Sequence, residues 1–263
     1  MSAFDHHHRT GDDLQPSAVI TGAGSGIGAA TARGLAAAGH RVVLVARRLD
    51  RLEAVARRIR DDGAEAVVAE VDVTDQAAVR DFAASLPRCD VLVNNAGGAI
   101  GTEPVEEARP QDWRAMFETN VMGSLHLTQA LLPQLVAGGN GVVVVLTSTA
   151  SFTVYDGGGG YSAAKHAQHA LAGTLRMELV DRPVRVIEIA PGMVRTEEFS
   201  LNRYRGDAAK AAAVYQGVAQ PLTAEDVADA ITWAVTRPPH VNVDLLVVRP
   251  RAQAAQHKVH REP

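Results

Sequence analysis

The sequence predicts an α/β fold: a doubly wound parallel sheet with helices on both faces, in a single domain. Three observations predict it. Short β-branched runs recur along the chain, and most are apolar throughout, as a sheet buried on both faces requires. Longer segments with helical periodicity alternate with them, which implies parallel strands joined by crossover helices. Neither an internal repeat nor a linker-like tract divides the 263 residues, a length that suits one large domain or two small ones. The domain is expected over Pro16–Pro250. The polar stretches before and after it read as tails, the first disordered, the last loose or laid as an arm on a neighbouring subunit.

Ser17–Thr21 is the first strand, and a glycine-rich turn follows it. Ala29–Ala38 is helical, Arg41–Ala46 the second strand, and Leu49–Asp61 the second helix. In that helix Leu52, Val55, Ala56 and Ile59 share a stripe, with Arg51, Arg57, Arg58 and Arg60 mostly elsewhere. Asp50 and Thr74 have the chemistry of N-caps. Ala66–Val71, Cys89–Asn94, Gly141–Thr147, Val184–Ala190 and Val243–Val248 are the remaining strands. Pro110–Val136 and Tyr161–Val180 read as long helices.

Composition narrows the function. Lys plus Arg is 26 and Asp plus Glu is 30, a net charge of −4. An acidic total argues against a nucleic-acid or membrane-surface binder, since both need excess cation to meet phosphate. The single cysteine, Cys89, excludes an internal disulfide and a Cys-rich metal site, and suits a reducing cytoplasm. No run of eighteen apolar residues is present to span a membrane. Met1–Gln15 lacks the basic head and apolar core of a signal peptide. Its His6, His7 and His8 are adjacent in a polar segment and do not make a closed metal site, so no metal is expected.

Thr21-Gly22-Ala23-Gly24-Ser25-Gly26-Ile27-Gly28 follows a strand and opens a helix. In that context glycine lets backbone N–H groups approach a pyrophosphate, and the helix N-terminus adds partial positive charge. The spacing, Gly22-x-x-x-Gly26-x-Gly28, differs from the common G-x-G-x-x-G. The second strand ends Ala46-Arg47-Arg48, with no carboxylate before Asp50 to hold ribose hydroxyls. A guanidinium suits a 2′-phosphate, which points to NADP(H) over NAD.

Tyr161-Ser162-Ala163-Ala164-Lys165 places a phenol and an ammonium about 40° apart on one helix face. A free phenol titrates near about 10. A neighbouring ammonium favours the phenolate, which suits the pair to proton exchange with an alcohol or carbonyl oxygen. Ser148 ends a strand, where its hydroxyl can meet a substrate oxygen. Asn94-Asn95-Ala96-Gly97 ends the fourth strand, and Asn120 sits within a long helix. All the strand ends lie on the carboxyl edge of one sheet, where open α/β folds bind ligands.

These motifs resemble the short-chain dehydrogenase/reductase family, whose fold is a Rossmann-type doubly wound sheet. The likeness runs from about Pro16 to Pro250 and includes Asp72-Val73 and Pro191-Gly192 with Thr196. It implies a catalytic tetrad of Asn120, Ser148, Tyr161 and Lys165. It implies cofactor contacts at Gly22, Ser25, Gly26, Ile27, Gly28, Arg47, Arg48, Asp72, Val73, Asn94, Ala96, Gly97, Tyr161, Lys165, Pro191, Gly192, Val194 and Thr196. Within that set Asp72 and Val73 would border the adenine, Asn94 and Lys165 hold the nicotinamide-side ribose, and Thr196 meet the nicotinamide amide. Members with this tetrad are commonly oligomers, tetramers or dimers, packed through helices matching Pro110–Val136 and Tyr161–Val180.

A narrower likeness covers Thr196–Phe199, Tyr204–Asp207, Leu222–Val227 and Pro238–Asn242. These are similar to the bacterial branch acting on serine and other 3-hydroxy acids, which is mostly NADP-linked. The implied reaction is reversible hydride transfer between NADP(H) and an alcohol or ketone. Tyr161 takes the hydroxyl proton, Ser148 holds the oxygen, Lys165 tunes the tyrosine, and Asn120 holds a water linking Lys165 to solvent. Specificity is expected from Gly98–Ile100, Ala150–Tyr155 and Met193–Tyr204, with Arg195, Arg203 or Arg205 available to a substrate carboxylate. Asp156-Gly157-Gly158-Gly159-Gly160, before the tyrosine, reads as a mobile loop. The competing readings are a reductase of bulkier ketones or 3-oxoacyl groups, and a dinucleotide-sensing protein without turnover.

Overall fold

The structure, a computed structural model, describes residues 15–263. The histidines expected in a disordered tail, His6, His7 and His8, lie outside that range. Seven strands form one sheet: β1 (Ser17–Thr21), β2 (Arg41–Ala46), β3 (Ala66–Glu70), β4 (Val91–Asn94), β5 (Gly141–Leu146), β6 (Val184–Pro191) and β7 (Leu245–Val248). Their order is β3-β2-β1-β4-β5-β6-β7, and every neighbouring pair is parallel. The order reverses between β1 and β4, which opens a crevice at their carboxyl ends.

The helices are α1 (Gly26–Ala37), α2 (Leu49–Asp61), α3 (Gln76–Ser85), α4 (Pro110–Phe117), α5 (Gly123–Ala137), α6 (Gly159–Glu178), α7 (Phe199–Arg203), α8 (Ala208–Ala213) and α9 (Ala224–Val235). Alternation along each strand builds a core on either side of the sheet. Ile20, Leu44, Val93, Val144 and Ile187 face α1, α2 and α9. Val19, Val43, Leu92, Val143 and Val186 face α3, α5 and α6. On α5, Leu127, Leu131 and Leu135 recur every fourth residue and are fully buried, each contributing about 1.5–3 kcal/mol by leaving water. This two-sided burial explains why the strands read as apolar throughout.

Several local expectations change. α2 starts after Arg48, so Asp50 lies inside its first turn and complements the helix dipole without capping it. α3 is capped by Asp75, whose carboxylate accepts from Ala77 and Ala78 N–H groups. Thr74 is instead tied by its N–H and hydroxyl to the Asp72 carboxylate (2.9 and 2.8 Å). The long helix expected over Pro110–Val136 is broken by one π-helical turn, Glu118–Met122.

The glycine run before Tyr161 is a close-packing device, not a mobile loop. Gly159 and Gly160 form the first turn of α6, and a Cβ at either would fall within 3 Å of Trp113 or Met116. The segment after Pro250, expected to be a loose tail or an arm on a neighbour, folds onto its own chain. It forms a hairpin, β8 (Gln253–Ala255) and β9 (Lys258–Val259). The Gln253 side chain is buried and accepts from the Met193 N–H (2.7 Å), and Glu262 N–H donates to the Gly217 carbonyl (2.7 Å). Its polar side chains find partners within the domain, which composition alone did not reveal.

Candidate active site

A cleft of about 760 Å³ runs along the carboxyl ends of the strands, a volume within the usual range for small-molecule sites. Its phosphate end is the turn after β1. Gly22 adopts φ +64°, which favours glycine. Ser25 precedes α1 without capping it, and no acidic residue stands in the first turn. The first N–H groups of α1 therefore lack a side-chain acceptor, and Ser25, Gly26 and Ile27 line the cleft. Gly28 is absent from the lining of the cleft. A Cβ there would sit 2.4 Å from the Gly22 carbonyl oxygen, so its smallness serves helix–loop packing.

The asparagine pair at the end of β4 divides its work. Asn94 is buried and donates to the Thr128 hydroxyl (3.0 Å), away from the cleft. Asn95 lines the cleft and donates to the Thr21 carbonyl (2.7 Å), tying the glycine turn to β4. Adjacent residues at a strand end point to opposite faces, so a shift of one position exchanges the two roles. Ala96 and Gly97 line the cleft as expected.

Arg47, Arg48, Asp72 and Val73 also line it. Burial works to raise the Asp72 carboxyl, but two bonds from Thr74 and the Arg47 charge outweigh it and hold the group below its ordinary range. The Arg48 guanidinium is not idle. It donates to Glu198 (2.7 Å), and the same carboxylate oxygen accepts from the Ser25 hydroxyl (3.0 Å). Glu198 was not singled out from sequence. The two donors expected at a cofactor phosphate thus already hold an anion, and the residues present fit a phosphorylated dinucleotide.

The chemical end joins β5, the π-turn and α6. Ser148 follows β5, accepts from the Ala150 N–H (3.1 Å) and donates to the Pro191 carbonyl (3.5 Å). Burial raises the Tyr161 pKa above its ordinary value, against the Ser148 hydroxyl and the Arg203 charge, which lower it. Lys165 Nζ lies 5.7 Å from the Tyr161 ring centre and donates to the Leu146 carbonyl (3.0 Å) and Gln168 Oε1 (2.6 Å). Burial brings the Lys165 ammonium down to about 7, opposed by the negative charge of Glu188. Pro191, Gly192, Val194 and Thr196 complete this wall from the end of β6.

Asn120 is fully buried in the π-turn and does not line the cleft. Its amide donates to the Gly98 and Met116 carbonyls (3.0 and 2.7 Å) and its Oδ1 accepts from Gly98 N–H (3.2 Å). It pins the loop after β4 to the helix. The connection from Lys165 toward Asn120 runs through side chains: Gln168 donates to the Ser124 hydroxyl (2.9 Å), which donates to the Asn120 carbonyl (2.7 Å). That chain ends on the Asn120 backbone carbonyl. Gln168 stands one turn after Lys165, a spacing that could have marked it. Glu188 had a signal too: it is the lone carboxylate inside apolar β6, 1% exposed, bound to the Thr147 hydroxyl (2.7 Å) and His169 (2.8 Å).

The short chain dehydrogenase family model matches residues 16–204, and the chain belongs to that family of oxidoreductases. An uncharacterized oxidoreductase of Mycobacterium tuberculosis is 56% identical over 238 residues, 90% of this chain and 92% of the relative. The NADP-dependent 3-hydroxy acid dehydrogenase YdfG of Escherichia coli is 38% identical over 249 residues, 93% of this chain and 99% of that protein. Among solved structures, the closed form of serine dehydrogenase complexed with NADP+ superposes with a TM-score of 0.87 at 38% identity, covering 94% of this chain and all of that one.

Proposed function

We propose that this chain is an NADP(H)-linked dehydrogenase that interconverts small 3-hydroxy acids, such as serine, with their carbonyl forms. One observation carries the reading. Ser148, Tyr161 and Lys165 meet on one wall of a cleft whose far end bears Arg47 and Arg48 in place of a ribose-binding carboxylate. The printed activities of the 38%-identical relatives support the substrate class.

NADP+, when bound, would supply the hydride acceptor. The protein supplies position and proton handling. Ser148, oriented by the Ala150 N–H, presents its hydroxyl to the reacting oxygen. In reduction, the buried neutral phenol of Tyr161 is ready to give its proton to a carbonyl. In oxidation the phenolate takes the hydroxyl proton, which requires that local positive charge offset burial. Lys165 supplies that charge while protonated, and its bonds to Leu146 and Gln168 hold the amine in place.

The assembly we favour is a homo-oligomer, tetramer or dimer. Its support is apolar surface: Met177 and Val180 near the end of α6 are exposed, as are Trp233 on α9 and Leu245 and Val247 on the edge strand β7. A cytoplasmic site agrees with one buried cysteine, and among the described residues no helix is long and apolar enough to cross a membrane. The test is a turnover screen with NADP+ and NADPH against L-serine, 3-hydroxypropanoate-type acids, bulky ketones and 3-oxoacyl esters. Turnover of the acids, lost in Tyr161→Phe, supports the reading. Preference for bulky ketones replaces the substrate, and tight NADPH binding with no turnover replaces the enzyme by a sensor.

A further inference from the structure

Three arginines follow β6, and the structure separates their environments. Arg205 donates to Glu103 (3.1 Å) and Asp112 (2.8 Å), so its charge is neutralised. Arg195 stacks on the Tyr215 ring at 4.9 Å and does not line the cleft. Arg203 does line it. Its partners are neutral: Nη1 donates to the Tyr155 hydroxyl (2.9 Å) and Nη2 to the Gly157 carbonyl (3.1 Å). Among the described residues no carboxylate pairs with it, although Asp156 lines the same cleft.

A half-buried guanidinium facing only neutral acceptors bears a desolvation cost that an anion would relieve. Two bonds occupy two of its five N–H groups, leaving donors for a carboxylate. The side chain is oriented in advance. It lies over the Tyr155 ring, 5.3 Å from its centre, and its backbone carbonyl accepts from the Gly101 N–H (2.9 Å). Arg205, two residues past α7, itself adopts a left-handed conformation, φ +53°. The same Arg203 charge reaches the Tyr161 phenol, so cation and proton donor share one end of the cleft.

We propose that Arg203 is the substrate-carboxylate site: it binds the acid group of a 3-hydroxy acid and so sets the hydroxyl carbon against Ser148 and Tyr161. Tyr155 and Gly157 hold the guanidinium in register for that contact. The assignment rests on the dehydrogenase reading for the identity of the acid, but the carboxylate site is testable without turnover. Selectivity then comes from charge, and a neutral ketone of equal size gains nothing from Arg203.

The experiment uses the full chain with NADP+ bound, in wild type, Arg203→Met and Arg203→Lys. Calorimetric titration with propanoate, a carboxylate lacking the reactive hydroxyl, is combined with kcat and KM for 3-hydroxypropanoate and for its methyl ester. Arg203→Met should raise the propanoate Kd and the acid's KM roughly 10- to 100-fold. The ester's KM and the NADPH affinity should change little, any loss of kcat through the Tyr161 phenol should fall on acid and ester alike, and Arg203→Lys should recover part of the acid's KM loss. Equal KM losses for acid and ester would make Arg203 a strut between two loops and overturn the proposal. So would unaltered propanoate binding in Arg203→Met. Arg203-dependent propanoate binding without any 3-hydroxy acid turnover would keep the anion site and remove the dehydrogenase reading. Turnover of the acid indifferent to Arg203 would do the reverse.

Discussion

The two ends of the cleft are built on different physics. At the chemical end the polar groups are buried and mutually bonded: Lys165 to Gln168, Gln168 to Ser124, Ser124 to Asn120, and Glu188 beneath them on Thr147 and His169. At the phosphate end the charges are more open. The Arg48 side chain is 51% exposed and Glu198 24%, and such a pair contributes about 0–1 kcal/mol against screening. The difference teaches where precision is needed. Proton exchange demands fixed geometry in low dielectric, which a closed hydrogen-bond network supplies. A dinucleotide phosphate needs only accessible positive charge that can release a weak internal partner.

The sharpest way to break the comparison lies at the chemical end. Tyr161→Phe removes the phenol proposed to carry the proton and should lower kcat by about 10²–10⁴-fold, with NADPH affinity, read by fluorescence titration, nearly unchanged. A variant retaining ordinary turnover would remove Tyr161 from the chemistry. Next in size, replacing Arg47 and Arg48 with Gln should weaken NADPH by about tenfold to a hundredfold and NADH little. The NADPH Kd of this variant should also lose salt dependence. Equal weakening of both dinucleotides would show that neither arginine meets the 2′-phosphate.

A pH measurement sharpens the contrast further. The Lys165 ammonium is brought down to about 7 by burial, and the Glu188 carboxylate opposes that fall. As pH rises through that region the ammonium is lost, and with it the part of kcat/KM that depends on its charge. Glu188→Gln removes the group that favours the charged form, so this alkaline limb should move to lower pH by about one unit or more. An unmoved limb would mean that Glu188 does not act on Lys165. The smallest effect belongs to the open end. Glu198→Gln frees Arg48 and Ser25, and NADPH should bind roughly two- to fivefold tighter, matching the value of an exposed pair. Weaker binding would assign Glu198 a direct part in holding the cofactor.

Strand positions, the long helix after Gly158, the glycine turn and the Ser148–Tyr161–Lys165 set were legible in the residues, because each is a local signal. A β-branched run, a 3.6-residue stripe and a strand–glycine–helix junction carry their meaning within a few neighbours. Errors fell where a one-residue register decides which way a side chain points. Asn94, expected at the cofactor ribose, turns to Thr128 while Asn95 lines the cleft, and Thr74 yields the cap to Asp75. Gly157–Gly160 read as looseness when seen alone, whereas Trp113 and Met116 press against two of them.

The sequence by itself determined the class of fold and the chemical groups at the carboxyl edge, since backbone periodicity and residue type are properties of short stretches. Only the tertiary structure decided which of Arg195, Arg203 and Arg205 keeps an unneutralised charge in the cleft, and that Glu198 holds Arg48. It also turned the chain after Pro250 inward, to place Gln253 against Met193. Each of these outcomes joins residues far apart along the chain. Charge pairing and burial depend on distances in space, which local patterns do not contain.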